Sequence, residues 1–253
     1  MISKAKIKYI QQLGQKKYRR AEEAFVAEGP KIVGDLMAVT PPLMVVATEE
    51  WAAMHRTSLP SATELITVTD DELRRISFLQ HPQKVMAVFR MDFLGHDSEI
   101  RPDELYLALD GVQDPGNLGT IIRIADWFGI RRIFCSPETA DVWNPKVIQA
   151  TMGSIARVSV EYTPLVSLMD SLPEGFPVYG TLLDGDDITK ADTHNHGIIV
   201  MGNEGNGISP AIRERVTHKL LIPNYPAGSP TADSLNVAIA TSITCFAIRQ
   251  RPL

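Results

Sequence analysis

Three loops rich in glycine and asparagine carry residue types that could hold a ligand in the second half of this 253-residue chain. They surround Asn117, Glu204 and Asn236. Glycine permits tight turns and close approach of the backbone, so such loops can present backbone amides to a bound group. Each loop directly follows a predicted strand. In open α/β sheets ligands bind beyond the carboxyl ends of the strands, so we expect the three loops to line one pocket.

The first loop leads into a predicted helix that contains an arginine. Asn117 is a candidate N-cap of this helix, and Gly116 and Gly119 permit close backbone approach. Arg123 follows Asn117 by six residues, which places it about 120° away around the helix. Because its neighbours are apolar, it is either a surface residue of an amphipathic helix or a buried, paired one. On these residues alone, a structural role is the simpler interpretation.

The second and third loops also leave alternatives open. The second has glycines at 202, 205 and 207, which match neither the dinucleotide fingerprint nor the Walker phosphate loop. Ser209, followed by proline, indicates the start of a short helix. In the third, an exposed loop precedes Asn236 at the start of an apolar helix. Asn236 by itself is a cap, a satisfied core amide or a functional residue.

Strands alternate with helices along the chain, which predicts an α/β protein whose helices cover a parallel or mixed sheet. The segment 91–104 loses the apolar pattern and is predicted to link a domain over 1–90 to a domain over 105–253. The first domain is predicted to have strands at 24–28, 43–47, 65–68 and 84–89, and helices at 30–38 and near 49–55 and 70–76. The second is predicted to have strands at 105–110, 131–135, 156–161, 177–182, 198–202 and 218–222, and helices at 117–129 and about 235–249.

The composition excludes several classes of protein. Apolar residues make up 44% and charged residues 22% of the chain, which is typical of a soluble globular protein. The longest apolar runs, such as 43–47, have five residues, whereas a membrane-spanning helix needs roughly 20. The first residues lack the apolar segment of a secretory signal. Two cysteines form neither a disulfide framework nor a structural zinc site, and His194 and His196 indicate a solvated loop. We therefore expect a cytoplasmic protein with no metal site.

Positive charge is concentrated at the N-terminus, although the net charge is −5. The overall balance argues against a uniformly basic nucleic-acid binder. Residues 1–20, however, contain seven lysines and arginines and no acidic residue. Such a segment either forms a phosphate-binding patch or is the solvated face of a helix.

Taken together, the three loops resemble the signature motifs of the SpoU (TrmH) family, part of the SPOUT superfamily of S-adenosylmethionine-dependent RNA methyltransferases. The matching residues are Asn117-x-Gly119-x-x-x-Arg123-x-Ala125, Gly202-x-Glu204-x-x-Gly207-x-Ser209, and Ile222-Pro223 with Ser234-Leu235-Asn236-Val237. Their order and spacing across 105–249 are similar to those of the family. One departure is the spacer from Pro223 to Ser234, which is longer than is usual and is expected to reshape the rim of the pocket.

The N-terminal segment resembles the substrate-binding domain of the same family. The similar pieces are Lys16-Lys17-Tyr18-Arg19, Phe25-Val26-Ala27-Glu28-Gly29 and the helix 30–38. The resemblance implies that Lys16, Lys17 and Arg19 contact RNA phosphates.

The resemblance implies an enzyme that methylates a ribose 2′-hydroxyl in ribosomal or transfer RNA, with S-adenosylmethionine as its cofactor and a homodimer as its assembly. It implies a C-terminal SPOUT domain with a parallel sheet and a deep trefoil knot at about 178–250, beside a small N-terminal α/β domain. It assigns the methyl donor to residues whose apolar members suit an adenine ring: Thr181, Leu182, Met201, Gly202, Ile222 and Leu235.

The resemblance assigns Arg123 to the reacting ribose. Because an arginine side chain hardly deprotonates, we interpret it as a charge-assisted donor to the adjacent phosphate or the developing alkoxide. Asn117 would position this arginine or the ribose. Glu204 and Ser234 would orient loops and substrate, and Asn236 would brace the knot. Ser234 is alternatively the N-cap of the last helix.

Two other functions compete with this one. A non-catalytic RNA-binding protein could retain the same fold, but the intact motif residues weigh against it. A dehydrogenase or another nucleotide-binding α/β enzyme is disfavoured because the dinucleotide fingerprint is missing.

Overall fold

The computed structural model describes residues 2–93, 99–226, 229 and 232–250. The chain divides into two compact units, one formed by 1–95 with 141–156 and the other by 96–140 with 157–253. The predicted linker 91–104 and the spacer 224–233 lie partly outside the described residues.

The first unit contains a four-stranded mixed sheet. Its strands are β1 (Ala24–Glu28), β2 (Met44–Thr48), β3 (Glu64–Val68) and β4 (Val85–Arg90), in the order β1-β4-β2-β3. β4 runs antiparallel to both neighbours, whereas β2 and β3 are parallel. The helices of its first part are α1 (Lys4–Gln12), α2 (Lys16–Glu22), α3 (Pro30–Met37), α4 (Glu49–His55) and α5 (Asp70–Ile76). Every residue of β1 and β2 is buried, as expected of short apolar runs at the centre of a domain.

The second unit contains a six-stranded parallel sheet. Its strands are β5 (Leu105–Asp110), β6 (Arg132–Cys135), β7 (Ser159–Tyr162), β8 (Val178–Asp187), β9 (Gly197–Gly202) and β10 (His218–Leu221). Their order is β10-β8-β9-β5-β6-β7, and every neighbouring pair is parallel. The helices that follow these strands are α6 (Pro115–Trp127), α8 (Leu165–Asp170), α9 (Pro210–Arg213) and α10 (Val237–Arg249). The predicted α/β fold with a parallel C-terminal sheet is confirmed, while the trefoil knot stays a prediction.

The parallel arrangement brings the carboxyl ends of all six strands to one edge of the sheet. The loops after β5, β9 and β10 begin at this edge, which we call the carboxyl edge. These are the three loops that carry the motifs. The fold therefore supplies a physical reason for widely separated motif residues to meet.

The segment 141–156, which the sequence analysis placed in the C-terminal domain, belongs to the first unit. Its helix α7 (Pro145–Thr151) packs on β1. The ring centroids of Trp143 and Phe25 lie 4.6 Å apart. Apolar periodicity reports which residues are buried but not against which element, so this placement was not visible in the sequence.

Candidate active site

One amide side chain joins the three motif loops at the carboxyl edge. Asn117, in the first turn of α6, donates through Nδ2 to Oε1 of Glu204 at 3.0 Å. Its Oδ1 accepts a hydrogen bond from Nδ2 of Asn236 at 2.9 Å. The expectation that the three loops come together is confirmed.

Glu204 acts as a hydrogen-bond acceptor for the loop after β5. Its two carboxylate oxygens accept from the backbone amides of Gln113 and Asp114, each at 3.2 Å, in addition to the side chain of Asn117. Burial raises the pKa of Glu204, but these hydrogen bonds and one from its own backbone amide outweigh it and hold the pKa below its usual value. A carboxylate with a lowered pKa and this many donors orients a loop and is a poor general base.

Two side chains that the sequence analysis did not single out hold the loop after β9. Asn203 donates through Nδ2 to the carbonyl of Gly111 at 2.7 Å, and its Oδ1 accepts from two amides of its own loop. Asp110, the last residue of β5, accepts from the amide of Ser209 at 2.7 Å. Their position at a strand end was the only sequence signal, because a lone Asp or Asn in a turn is common.

The helix caps differ from the sequence expectations. Asp114, and not Asn117, is the N-cap of α6, and its Oδ1 accepts from the amide of Asn117 at 2.8 Å. Pro115 starts the helix two residues before Asn117, where proline is well tolerated. Asn236 caps α10 by accepting from two amides of its first turn, so Ser234 is not the cap. Asn236 thus caps α10 through Oδ1 and supports Asn117 through Nδ2.

Arg123 is an exposed residue of α6. No carboxylate in the described part of the chain forms an ion pair with it, so the alternative of a buried, paired arginine is wrong. It lies one helical turn before Trp127, on the same face of α6. Its guanidinium is therefore accessible to an anion.

Four of the residues assigned to the methyl donor lie within the neighbouring strands β8 and β9. Ile222 follows the adjacent strand β10, and Leu235 precedes α10. Lys219 of β10 pairs with Gly180 of β8, but the next residue, Leu220, pairs with Asp186. Residues 181–185 therefore leave the ladder with β10, and this segment contains Thr181 and Leu182. The excursion makes β8 longer than the predicted strand 177–182.

The end of β9 lies beside the segment 181–185 of β8. The hydroxyl of Thr181 contacts Sδ of the buried Met201 at 3.7 Å. A side chain at Gly202 is excluded, because a Cβ there would lie 2.2 Å from the backbone of Gly207. The requirement for glycine at 202 thus comes from closure of the loop after β9.

A family model described as the SpoU rRNA Methylase family matches residues 104–246, which contain the whole six-stranded sheet and most of α10. The chain belongs to the SpoU rRNA methylase family. A second model, the MRM3-like substrate binding domain, matches residues 4–87. Together the two models account for most of the chain.

Individual relatives agree with the family assignment. The chain is 32% identical to the 23S rRNA (guanosine(2553)-2′-O)-methyltransferase RlmP of Bacillus subtilis, over 96% of each chain. Among solved structures, a putative RNA methyltransferase of the TrmH family from Porphyromonas gingivalis is 42% identical, with a TM-score of 0.86 over 100% of both chains. An AdoMet-bound rRNA methyltransferase from Sinorhizobium meliloti is 30% identical, with a TM-score of 0.84 over 99% of this chain and 96% of that one.

A site for S-adenosylmethionine would require apolar walls for the adenine ring and polar groups for its edge. Met201 is buried, Ile222 is half-buried and Leu235 is exposed, and these apolar side chains would form the walls. Residues 181–185 have no register partner in β10, so this segment would supply polar groups for the edge of the ring. The residues present therefore fit S-adenosylmethionine.

The basic residues of α2 lie within the match to the substrate binding domain, and they differ in exposure. Lys16 and Lys17 are exposed, and neither forms an ion pair within the described residues. Arg19 is only 1% exposed, and its guanidinium donates to Asp141 at 2.6 Å and to a backbone carbonyl at 2.8 Å. The expectation that Arg19 contacts RNA phosphate is therefore wrong, because its charge is buried and already paired.

The described residues contain neither a further ligand cluster nor a membrane-spanning helix. No cluster of three or more His, Cys, Asp or Glu side chains among them is arranged to hold a metal ion. No helix in the described part is long and apolar enough to cross a membrane.

Proposed function

We propose that this protein transfers a methyl group from S-adenosylmethionine to a ribose 2′-hydroxyl in ribosomal RNA. The observation that carries the proposal is the junction of Asn117, Glu204 and Asn236, which assembles all three SpoU motifs at one edge of the sheet beside the exposed Arg123. The relatives named above as rRNA methyltransferases support the choice of substrate.

Six residues are proposed to hold the methyl donor, namely Thr181, Leu182, Met201, Gly202, Ile222 and Leu235. When bound, S-adenosylmethionine supplies an electrophilic methyl group. The apolar side chains would exclude water from the adenine ring, and the segment 181–185 would bond its polar edge.

Arg123 is proposed to bind the phosphate next to the target ribose or the alkoxide that develops on its 2′-oxygen. A guanidinium keeps its proton in proteins, so it acts as a charge-assisted donor and not as a base. Stabilising the negative charge that develops in the transition state is how such a group accelerates the reaction.

Asn117, Glu204 and Asn236 are proposed to position the site. The side chain of Asn117 is hydrogen-bonded to Glu204 and Asn236, so it would position Arg123 indirectly, by holding the start of α6. Alternatively, the second N–H group of its Nδ2 would donate to the ribose. Ser234, two residues before the cap of α10, is free of a capping role and is proposed to orient the substrate.

Lys16 and Lys17 are proposed to contact phosphates of the RNA. Both are exposed on α2, where their charges can replace the counterions of the RNA backbone.

A homodimer is proposed from an exposed apolar face of α6 and α10. These two helices pack together, and the face consists of Trp127, Ile239, Ile243 and Phe246, which we call the α6–α10 face. Residues 239, 243 and 246 lie on one side of α10, and Trp127 is 84% exposed at the end of α6. Exposed apolar side chains on two packed helices are typical of an interface, and a second copy with two-fold symmetry is the proposed occupant.

The proposed activity is tested by incubating the purified protein with radiolabelled S-adenosylmethionine and, separately, ribosomal and transfer RNA from cells in which the gene is deleted. The RNA is then digested and the labelled nucleoside identified. We expect a 2′-O-methyl nucleoside from ribosomal RNA. Label in transfer RNA alone would contradict the choice of substrate. If neither pool is labelled, assembled ribosomal subunits are tested as well. Donor binding without label in any of these substrates would favour a non-catalytic RNA-binding protein.

A further inference from the structure

Tyr225 is an exposed aromatic residue in the loop after β10, one of the three motif loops. It lies four residues beyond the last residue of β10, in the long spacer between Pro223 and Ser234. The spacer begins at the carboxyl edge and returns to it at Asn236, which is bonded to Asn117. The Tyr225 side chain is 92% exposed.

Two hydrogen bonds join described residues of the spacer next to Tyr225. The side chain of Asn224 donates to the carbonyl of Ser229 at 3.0 Å, and the amide of Ser229 donates to the carbonyl of Pro226 at 3.1 Å. Prolines at 223 and 226 restrict the backbone on both sides of the tyrosine. An exposed ring on a restricted backbone loses little conformational entropy when a flat partner binds to it.

The chemistry of the proposed reaction requires such a partner. A ribose 2′-hydroxyl can enter a protein site most readily where the RNA is unpaired, and an unstacked base needs a new surface to stack on. Tyr225 is the only aromatic residue in the three motif loops 110–119, 201–210 and 222–236. The other motif residues are polar, small or aliphatic, and offer no aromatic surface.

We propose that Tyr225 stacks on an unpaired base of the substrate RNA at or next to the methylated nucleotide, and so acts as a substrate-positioning residue. This inference rests on the proposed function. Stacking on a phenol ring is tolerant of base identity, so Tyr225 would fix the position of the base, and other groups would read its sequence.

The test compares Tyr225→Ala, Tyr225→Leu and Tyr225→Phe with the wild-type protein on the RNA identified by the labelling experiment. We expect kcat/KM for RNA to fall roughly 10-fold in the Ala and Leu variants, mainly through KM, and to stay within about twofold of wild type in the Phe variant, which keeps the ring. The affinity for S-adenosylmethionine, measured by calorimetry, should not change. Lost donor affinity in Tyr225→Ala would overturn the proposal, because it would make the residue part of the donor site.

Abasic substitutions in the RNA provide a readout that a merely structural role would not change. At one position within three nucleotides of the methylated ribose, removal of the base should make kcat/KM for RNA the same in the wild-type protein and in Tyr225→Ala. An effect of Tyr225→Ala that is the same on every abasic RNA would overturn the proposal, as would wild-type kinetics in that variant. Failure of the wild-type protein to label any RNA would instead count against the proposed function.

Discussion

At the level of single residues, the surroundings of Arg123 differ from those of Arg19, Arg213 and Arg215. Arg213 and Arg215 are each bonded to a carboxylate, and Arg19 is buried in an ion pair. Arg123 is exposed and forms no such pair within the described residues. An arginine whose charge is not compensated locally is available to a phosphate or an alkoxide without first breaking another bond.

Replacing Arg123 with alanine is expected to lower the single-turnover rate of methylation by about 10²–10³-fold, because one charge-assisted donor to the transition state is lost. Arg123→Lys should restore only part of the rate, since lysine lacks the planar fork. Binding of S-adenosylmethionine should be unchanged.

The matched control for this prediction is Arg131→Ala. Arg131 is exposed and precedes β6, at the opposite edge of the same sheet, so its replacement should leave the rate near that of wild type. A normal rate in Arg123→Ala on a confirmed RNA substrate would refute the assigned role.

At the scale of elements, helix α10 is tied to the site through its cap. Asn236 accepts from the first turn of α10 with Oδ1 and donates to Asn117 with Nδ2. The start of α10 and the start of α6 are therefore fixed relative to each other by one side chain. Because the two capping bonds use Oδ1 and the bond to Asn117 uses Nδ2, substitutions can remove the cap and the bond to Asn117 separately.

Asn236→Ala is expected to lower the free energy of unfolding by about 1 kcal/mol through loss of the cap, and to slow methylation. Asn236→Asp keeps the capping oxygen but loses the donor, so it should retain most of the stability and still slow methylation. Urea denaturation and single-turnover assays measure the two effects. Asn144→Ala is the control, because Asn144 caps α7 in the first unit and should change stability alone. Wild-type turnover in Asn236→Asp would show that the bond to Asn117 has no role in positioning.

Helix α2 carries basic residues in two different environments, exposed and buried. Lys16 and Lys17 point their charges to solvent, whereas Arg19 uses its charge to bind Asp141 within the first unit. A buried guanidinium must keep its partner, since leaving a buried charge unpaired is strongly destabilising. Substitutions of Lys16 and Lys17 should therefore affect RNA binding, whereas substitution of Arg19 should affect stability.

Reversing Lys16 and Lys17 to glutamate is expected to weaken RNA binding at low salt and to make its salt dependence shallower, because fewer counterions are released. Lys31→Glu with Lys84→Glu makes the same change in net charge at two lysines already paired with carboxylates, and should affect binding less. Arg19→Ala should instead lower the free energy of unfolding. Filter binding over a salt series checks the first two expectations, and equal affinity of both double variants would contradict them.

For the whole molecule, the α6–α10 face is a group of large apolar side chains that a single copy of the chain exposes to solvent. Its aromatic and aliphatic side chains lie on two helices that pack against each other in the unit with the motif loops. Arg123 shares the face of α6 that carries Trp127. A dimer formed through this face would therefore place the candidate catalytic arginine near a subunit interface.

Ile243→Glu combined with Phe246→Glu is expected to convert a dimer into a monomer, because burying two carboxylates at an apolar interface is unfavourable. Light scattering coupled to size-exclusion chromatography measures the mass directly. Met54→Glu is the control, since Met54 is an exposed apolar residue of α4, outside this face, and its replacement should leave the dimer intact. A wild-type protein that is monomeric at tens of micromolar would contradict the proposed assembly.

The local elements and the motif loops could be predicted from the order of residues alone. Strands β1 and β5 have the bounds that their apolar runs predict, as do helices α4 and α5. Periodicity and glycine or proline punctuation act over a few residues, so a linear pattern suffices to read them. The order and spacing of the three motifs could also be read directly from the amino-acid sequence, and they indicated the family that the comparisons confirm.

The contacts of those residues, in contrast, depend on how the chain folds. Arg19 looked like its lysine neighbours until Asp141, 122 residues away, was seen to bind it. Asn117 looked like a cap until Asp114 took that place and left its amide to join Glu204 and Asn236, which lie 87 and 119 residues away. The partner of a polar side chain depends on which distant loops the sheet brings to one edge. Spacing along the chain carries no record of that distance in space, so these roles could be read only from the folded molecule.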